Sequence, residues 1–224
     1  MKVVQINDLS FLVRNDADLA VCKEIFTKNA YQKPRLGFSI KPGEVWIDCG
    51  ANIGAFAIWA EKCKGAKVFG FEACEENAQI ANHNLQSNRC ASKVFTGFIK
   101  STGEGSSKIG FNEKTPARSS LHHAKLNRLV RNVSINEAIQ KFQPNGIKID
   151  IEGGEFELLD AGIETSGLNS LVIEYHFRFN KDTKIARKRI EPFLNSFKNH
   201  SVPKTVFNSD LWPAWQDAIF YFWN

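Results

Sequence analysis

The stretch VWIDCGANIGAFAIWA, Val45 to Ala60, changes character at its midpoint. Val45, Trp46 and Ile47 form a short apolar run without a polar break, as in a strand buried on both faces. Asp48-Cys49-Gly50-Ala51-Asn52-Ile53-Gly54 follows, and then Phe56, Ile58, Trp59 and Ala60 recur as in a helix. A strand that ends in an acid and a glycine turn before a helix is a βα unit. In open parallel sheets, ligands bind outside the carboxyl ends of such strands.

Outward from this unit, apolar strands and helical segments alternate. Upstream, Val3 to Arg14 reads as a hairpin and Asp16 to Ala30 as a helix that Asn15 or Asp16 can cap. Strands are predicted at Val45–Cys49, Lys67–Phe71, Lys93–Phe98, Ile147–Ile151 and Ser170–Tyr175. Helices are predicted at Ile53–Cys63, Glu75–Leu85, Ser134–Phe142, Glu155–Ala161 and Lys181–Phe197. The end reads as two strands, Lys204–Phe207 and Ala218–Trp223, and Ser101–Ser120, rich in Gly, Ser, Lys and Thr, reads as a linker. This order predicts an α/β fold: a doubly wound, mostly parallel sheet with helices on both faces and an antiparallel C-terminal edge strand.

At 224 residues the chain fits one domain with ample core. Its 43% hydrophobic content argues for a packed globule, and no apolar run is long enough to span a membrane. The net charge of +5 permits an anionic partner without demanding one. Five cysteines with no C-x-x-C pair argue against structural zinc and predict reduced thiols in a cytoplasmic, intracellular setting. MKVVQINDLS lacks the apolar core of a signal peptide, so the sequons at Asn132 and Asn199 read as chance matches.

The turn itself narrows the ligand. A dinucleotide site wants G-x-G-x-x-G, whose middle glycine faces a pyrophosphate, whereas here the spacing is Gly50-x-Asn52-x-Gly54. The next strand, KVFGFE, ends in Glu72, placed to accept hydrogen bonds from both hydroxyls of a ribose. A nucleoside without a pyrophosphate fits both features. S-adenosylmethionine is such a ligand: its carboxylate suits a helix start and its ammonium an acid such as Asp48.

IDCGANIG (Ile47–Gly54), FEACEEN (Phe71–Asn77) and KIDIEGGEFELL (Lys148–Leu159) together resemble the FkbM-type S-adenosylmethionine-dependent methyltransferases. The third string is the most specific, and VSINEAIQKF before it is also similar. The resemblance runs from about Gly43 to Trp223 and implies a Rossmann-like fold. It implies one methyltransferase domain over residues 1–224, with 43–224 as cofactor-binding core and 1–42 as an N-terminal extension or cap. Asp48, Gly50, Asn52, Gly54, Glu72, Ala73 and Phe98 are then the cofactor-binding candidates.

In IKIDIEG, Asp150 and Glu152 lie two apart at a strand end, and in LVIEYH so do Glu174 and His176. Three acids and an imidazole then converge beside the turn, an arrangement that is costly unless a cation or shared protons compensate. A hydroxyl acceptor is a weak nucleophile and benefits from a base. Asp150 and His176 are the base candidates, with Glu152 beside them. Alternatively, Asp150 and Glu174, with Glu152, hold Mg²⁺ or Mn²⁺ through oxygen ligands.

Arg118–His123 is a candidate substrate lid, and Trp212, Trp215, Tyr221 and Trp223 offer faces to a sugar. The helix Lys181–Phe197 should turn Ile185 and Ile190 inward. The resemblance implies O-methylation of a hydroxyl on a sugar, glycan or related natural product. RNA or DNA methylation is the alternative, and a non-catalytic cofactor-fold module a third reading. Against a nucleic-acid acceptor, no N-P-P-[YF]-like text follows the fourth strand of the core.

Overall fold

The structure, a computed structural model, describes residues 1–111, 126–204, 206 and 217–224. A hairpin, β1 (Lys2–Ile6) and β2 (Leu9–Val13), opens the chain and leads into helix α1 (Asp16–Phe26). The Asn15 side chain accepts from the Ala17 and Asp18 amides and caps α1. The helix stops at Phe26, short of the expected Ala30, and Asn29 already has a left-handed φ of 51°.

β3 (Val45–Cys49), α2 (Ala55–Lys64), β4 (Lys67–Glu72), α3 (Glu75–Ser87) and β5 (Lys93–Thr96) form the first half of the main sheet. β6 (Phe98–Lys100), β7 (Ser106–Phe111), β8 (Leu126–Ser134) and α4 (Ile135–Phe142) separate it from the second half. That half comprises β9 (Gly146–Ile149), α5 (Glu155–Ala161), β10 (Ser170–Tyr175), α6 (Thr183–Ser196), β11 (Asn199–Ser201) and β12 (Ala218–Trp223). The main sheet has seven strands in the order β11-β12-β10-β9-β3-β4-β5. β5, β4, β3, β9 and β10 are mutually parallel, and β12 runs antiparallel to β10. The order reverses between β3 and β9, so the switch point lies at the turn after Cys49.

Side chains alternate between two cores. Trp46 and Val172 face the layer of α1, α2, α3 and the hairpin, where Phe11, Phe56 and Leu85 are buried. Ile47, Ile149 and Ile173 face the layer of α4, α5 and α6, with Leu158, Ile190 and Phe193. Both faces are therefore apolar, which is why these strands carry no polar alternation.

Several expectations change. The predicted strand Lys93–Phe98 is broken at Gly97, and Phe98–Lys100 leaves the main sheet to pair with β8. A Cβ at Gly97 would stand 2.7 Å from Val133 Cγ2, so the residue permits this crossing. Within the supposed linker, Ser106–Phe111 is a strand paired antiparallel with β8. The strand beside β12 is Asn199–Ser201; of the expected Lys204–Phe207, Lys204 and Val206 lie in a helical turn, the Val206 amide bonding back to the Pro203 carbonyl, and Thr205 and Phe207 lie outside the described residues. On α6, Ala186, Ile190 and Phe193 form the buried stripe, and Ile185, one position off it, is exposed. Tyr221 and Trp223 pack edge-on against Phe38 as core. Arg118–His123, Trp212 and Trp215 lie outside the described residues.

Candidate active site

A cavity of about 340 Å³ opens at the carboxyl ends of β3, β4, β9 and β10. Gly50, Asn52, Glu72, Ala73 and Phe98 line it, whereas Asp48 and Gly54 do not. On one side stand Phe71, Ala73, Phe98 and Ile109, an apolar wall closed by β7. On the other stand Lys148, Asp150, Glu152, Glu174, Arg178 and Tyr31.

Glu72 ties the two turns together. Its Oε2 accepts from the Asn52 amide at 2.8 Å and its Oε1 from the Cys74 amide at 2.8 Å. Burial raises its pKa, partly offset by these amides and by the Asn77 side chain. A carboxylate has about four acceptor positions, so some capacity remains beside these three donors.

The glycines serve the chain before any ligand. Gly50 has a φ of 88°, and a Cβ there would lie 1.8 Å from the Asp150 carbonyl oxygen. The chain beyond β9 approaches so closely that only glycine fits. Gly54 has a φ of 82°, and a Cβ would sit 3.2 Å from Ala81 on α3, so it fixes helix packing away from the cavity.

Asp48 is also reassigned. It is fully buried, and its Oδ1 accepts from Lys148 Nζ at 2.9 Å. Its Oδ2 has no hydrogen-bond partner among the described residues. Burial pushes its pKa up to about 6 despite Lys148.

Lys148 was not among the residues singled out from the sequence, yet it organises the acid cluster. Nζ lies 3.4 Å from Asp150 Oδ2 and stands over the rings of Tyr31 and Phe56 at 5.1 and 5.6 Å. Desolvation disfavours its charge, but Asp48, Asp150 and Glu174 more than compensate and hold it well above the ordinary lysine range. A lysine in the otherwise apolar GIKI strand was the available signal, since a buried ammonium demands buried acids.

The convergence predicted for Asp150, Glu152, Glu174 and His176 occurs. His176 Nε2 lies 3.7 Å from Asp150 Oδ1 and 3.7 Å from Glu152 Oε2. Its Nδ1 is 2.9 Å from Glu155 Oε1, on a carboxylate that is fully buried. Burial lowers its pKa, but Glu155, Asp150 and Glu152 outweigh this and lift it to about 10. At neutral pH the ring is an imidazolium, and it does not line the cavity. It holds the acids in place, and Asp150, which lines the cavity, is better placed than His176 to take an acceptor's proton.

Burial alone would raise Asp150, yet Lys148, His176 and the Tyr31 hydroxyl bring it below its ordinary value. Glu174 is raised, first by burial and then by the charge of Asp150. Glu152 is also raised by burial, while Arg178, which bridges Glu152 and Asp217, opposes the shift.

The donor atoms of Asp150, Glu174 and His176 lie within 4.8 Å of one another. A divalent cation there would have to share Asp150 with the Lys148 ammonium, 3.4 Å from its Oδ2. The structure thus gives no support to the expected Mg²⁺ or Mn²⁺ site at Asp150 and Glu174.

The model of the methyltransferase FkbM domain matches residues 48–201, well over half of the chain. The chain belongs to the FkbM methyltransferase family. It is an S-adenosylmethionine-dependent methyltransferase. The FkbM match begins at Asp48, at the glycine turn, and includes the whole of the Lys148–Leu159 string. Among solved structures, TYW2 of P. horikoshii in complex with MeSAdo aligns at a TM-score of 0.52 and 11% identity, over 98% of this chain and 70% of that one. TYW2 of M. jannaschii in complex with AdoMet aligns at 0.50 and 13%, over 99% and 86%. These likenesses establish the Rossmann-like fold. Comparison with curated protein sequences gives no significant match. None of the FkbM chain's five cysteines is paired, and no described helix is long and apolar enough to cross a membrane.

Proposed function

We propose that the protein transfers a methyl group from S-adenosylmethionine to a hydroxyl of a sugar, glycan or related natural product, with Asp150 as base. S-adenosylmethionine supplies an activated methyl carbon and leaves as a thioether. Glu72 holds the ribose hydroxyls, with the Asn52 turn and Ala73 beside it, and Phe98 packs against the adenine. Asp150 takes the proton of the acceptor hydroxyl as its oxygen bonds to the methyl carbon and the carbon–sulfur bond breaks. Residues 1–42 act as a cap on a single domain.

The observation that carries this reading is the charge of the acceptor end. Glu24, Asp150, Glu152, Glu174 and Asp217 line it against Lys148 and Arg178, and those two cations are already bound to acids. Such a wall repels a phosphate backbone, which argues for a glycan-like acceptor over nucleic acid. The unpaired cysteines support a cytoplasmic, reducing setting. The test is turnover of labelled S-adenosylmethionine against a panel of glycosides and against tRNA, with and without EDTA. Methylated glycoside at undiminished rate in EDTA is expected, and methylation of tRNA alone would refute the reading.

A further inference from the structure

Tyr31 comes from the loop after α1, far from the acid cluster in sequence, and is almost fully buried. Its hydroxyl lies 3.2 Å from Asp150 Oδ2 and 3.3 Å from Glu174 Oε2. A phenol carries one proton and can donate to one of these carboxyls only. A full hydrogen bond at the second contact takes a proton on the other carboxyl, directed at the phenol oxygen. Asp150 has Lys148 Nζ at 3.4 Å and His176 Nε2 at 3.7 Å, while no cation is paired with Glu174 among the described residues. The ionised member is therefore Asp150, and the protonated one Glu174.

We propose that Tyr31 is a positioning residue for methyl transfer: its hydroxyl donates to ionised Asp150 and accepts from protonated Glu174. The segment before the sheet thereby completes the base. This rests on the reading of Asp150 given above. The ring is fixed independently of the hydroxyl, edge-on to Phe56 at 5.4 Å and beneath the Lys148 ammonium. The Tyr221 hydroxyl, donating to the Ala30 carbonyl, pins the preceding residue. Burial, Asp150 and Glu174 keep the phenol far above its ordinary pKa, so it stays neutral. The other charged groups facing the pair are Asp48 on β3, Lys148 on β9, Glu152 and His176 in the turns beyond β9 and β10, and Glu24 on α1.

Tyr31→Phe keeps the ring and removes the bridge. With the glycoside that the panel identifies, kcat should fall about tenfold, the scale of one hydrogen bond to a charged group. Affinity for S-adenosylmethionine by calorimetry should change less than about twofold, and the acidic limb of the kcat profile should move to higher pH as Asp150 loses a donor. An unchanged kcat, or a fall without movement of the limb, would overturn the proposal. A second measurement needs neither turnover nor the variant's folding. Carbon NMR of unmodified protein with labelled glutamate, assigned through Glu174→Gln, reads the Glu174 carboxyl directly. A proton retained at pH 7 supports the bridge, and a carboxylate there overturns it whatever the acceptor.

Discussion

Lys148 Nζ donates to Asp48 Oδ1 at 2.9 Å with both side chains buried, Asp48 completely. Register places them side by side on neighbouring parallel strands, Asp48 opposite Lys148 across β3 and β9. The pair locks the switch point and delivers the second contact of Lys148 to Asp150. Lys148→Met would leave Asp48 uncompensated, and stability at neutral pH should fall by about 3–5 kcal/mol in urea denaturation. The deficit should shrink as pH falls toward 6, because without Lys148 the buried carboxyl takes up its proton above the wild type's value of about 6. The double variant Asp48→Asn, Lys148→Met should recover much of the loss. Equal stability of the single and double variants would show that the pair is not coupled.

His176 gives a pH signature of the opposite kind. Its folded value near 10 exceeds the ordinary 6.5, so its stabilisation is complete below 6.5 and is lost as pH rises toward 10. Denaturation midpoints of the wild type should decline across that interval, and those of His176→Gln should be flatter there. The kcat profile should show no fall centred on an ordinary imidazole titration. A profile that does fall there would restore His176 as the base.

Gly50→Ala tests whether the turn serves the chain or the ligand. A methyl group 1.8 Å from the Asp150 carbonyl must displace the end of β9, on top of the left-handed φ. Stability should drop by at least about 2 kcal/mol, counting roughly 1–2 for the backbone conformation and more for the clash. Gly54→Ala, whose nearest contact is 3.2 Å, should cost less and leave turnover per folded molecule intact. A normally stable Gly50→Ala protein that no longer binds S-adenosylmethionine would return the glycine to the ligand.

Glu72→Ala should weaken S-adenosylmethionine binding by about 1.5–3 kcal/mol, the scale of hydrogen bonds to a charged group. Because Glu72 also takes the Asn52 and Cys74 amides, melting temperature should fall alongside affinity. Calorimetry with unchanged affinity would sink the ribose assignment.

Local patterns carried most of the fold. The apolar strands Val45–Cys49 and Ser170–Tyr175 and the acids at Glu75 and Glu155 are visible one element at a time. What remained hidden depends on pairing between distant segments. β7 opens on the polar Ser106, Ser107 and Lys108, and its ladder with β8 is what makes it a strand. Tyr31 lies in a stretch without a motif and acquires meaning through contacts with residues 119 and 143 positions away. The acids were legible as a cluster because strand ends converge, but their protonation was not. That required Lys148 and Glu155, which the sequence places beside the motif without stating what they touch.

The decisive variant is Asp150→Asn. It keeps size and removes the charge that Lys148, His176 and Tyr31 face. S-adenosylmethionine affinity should stay nearly intact, because Glu72 and the Asn52 turn lie on the far side of the cavity. Turnover should fall about 10²-fold or more, the usual scale for loss of a general base. The wild type should keep full activity in EDTA, since Lys148 already supplies the positive charge beside Asp150. Inhibition by EDTA with rescue by Mg²⁺ would instead make Asp150 and Glu174 metal ligands, and Asp150→Asn would then lose metal dependence together with rate. Wild-type turnover in Asp150→Asn would remove the base from this cluster altogether. Glu174→Gln separates these outcomes further: if Glu174 is the protonated partner, the amide replaces a donor with a donor, and kcat should fall far less than in Asp150→Asn.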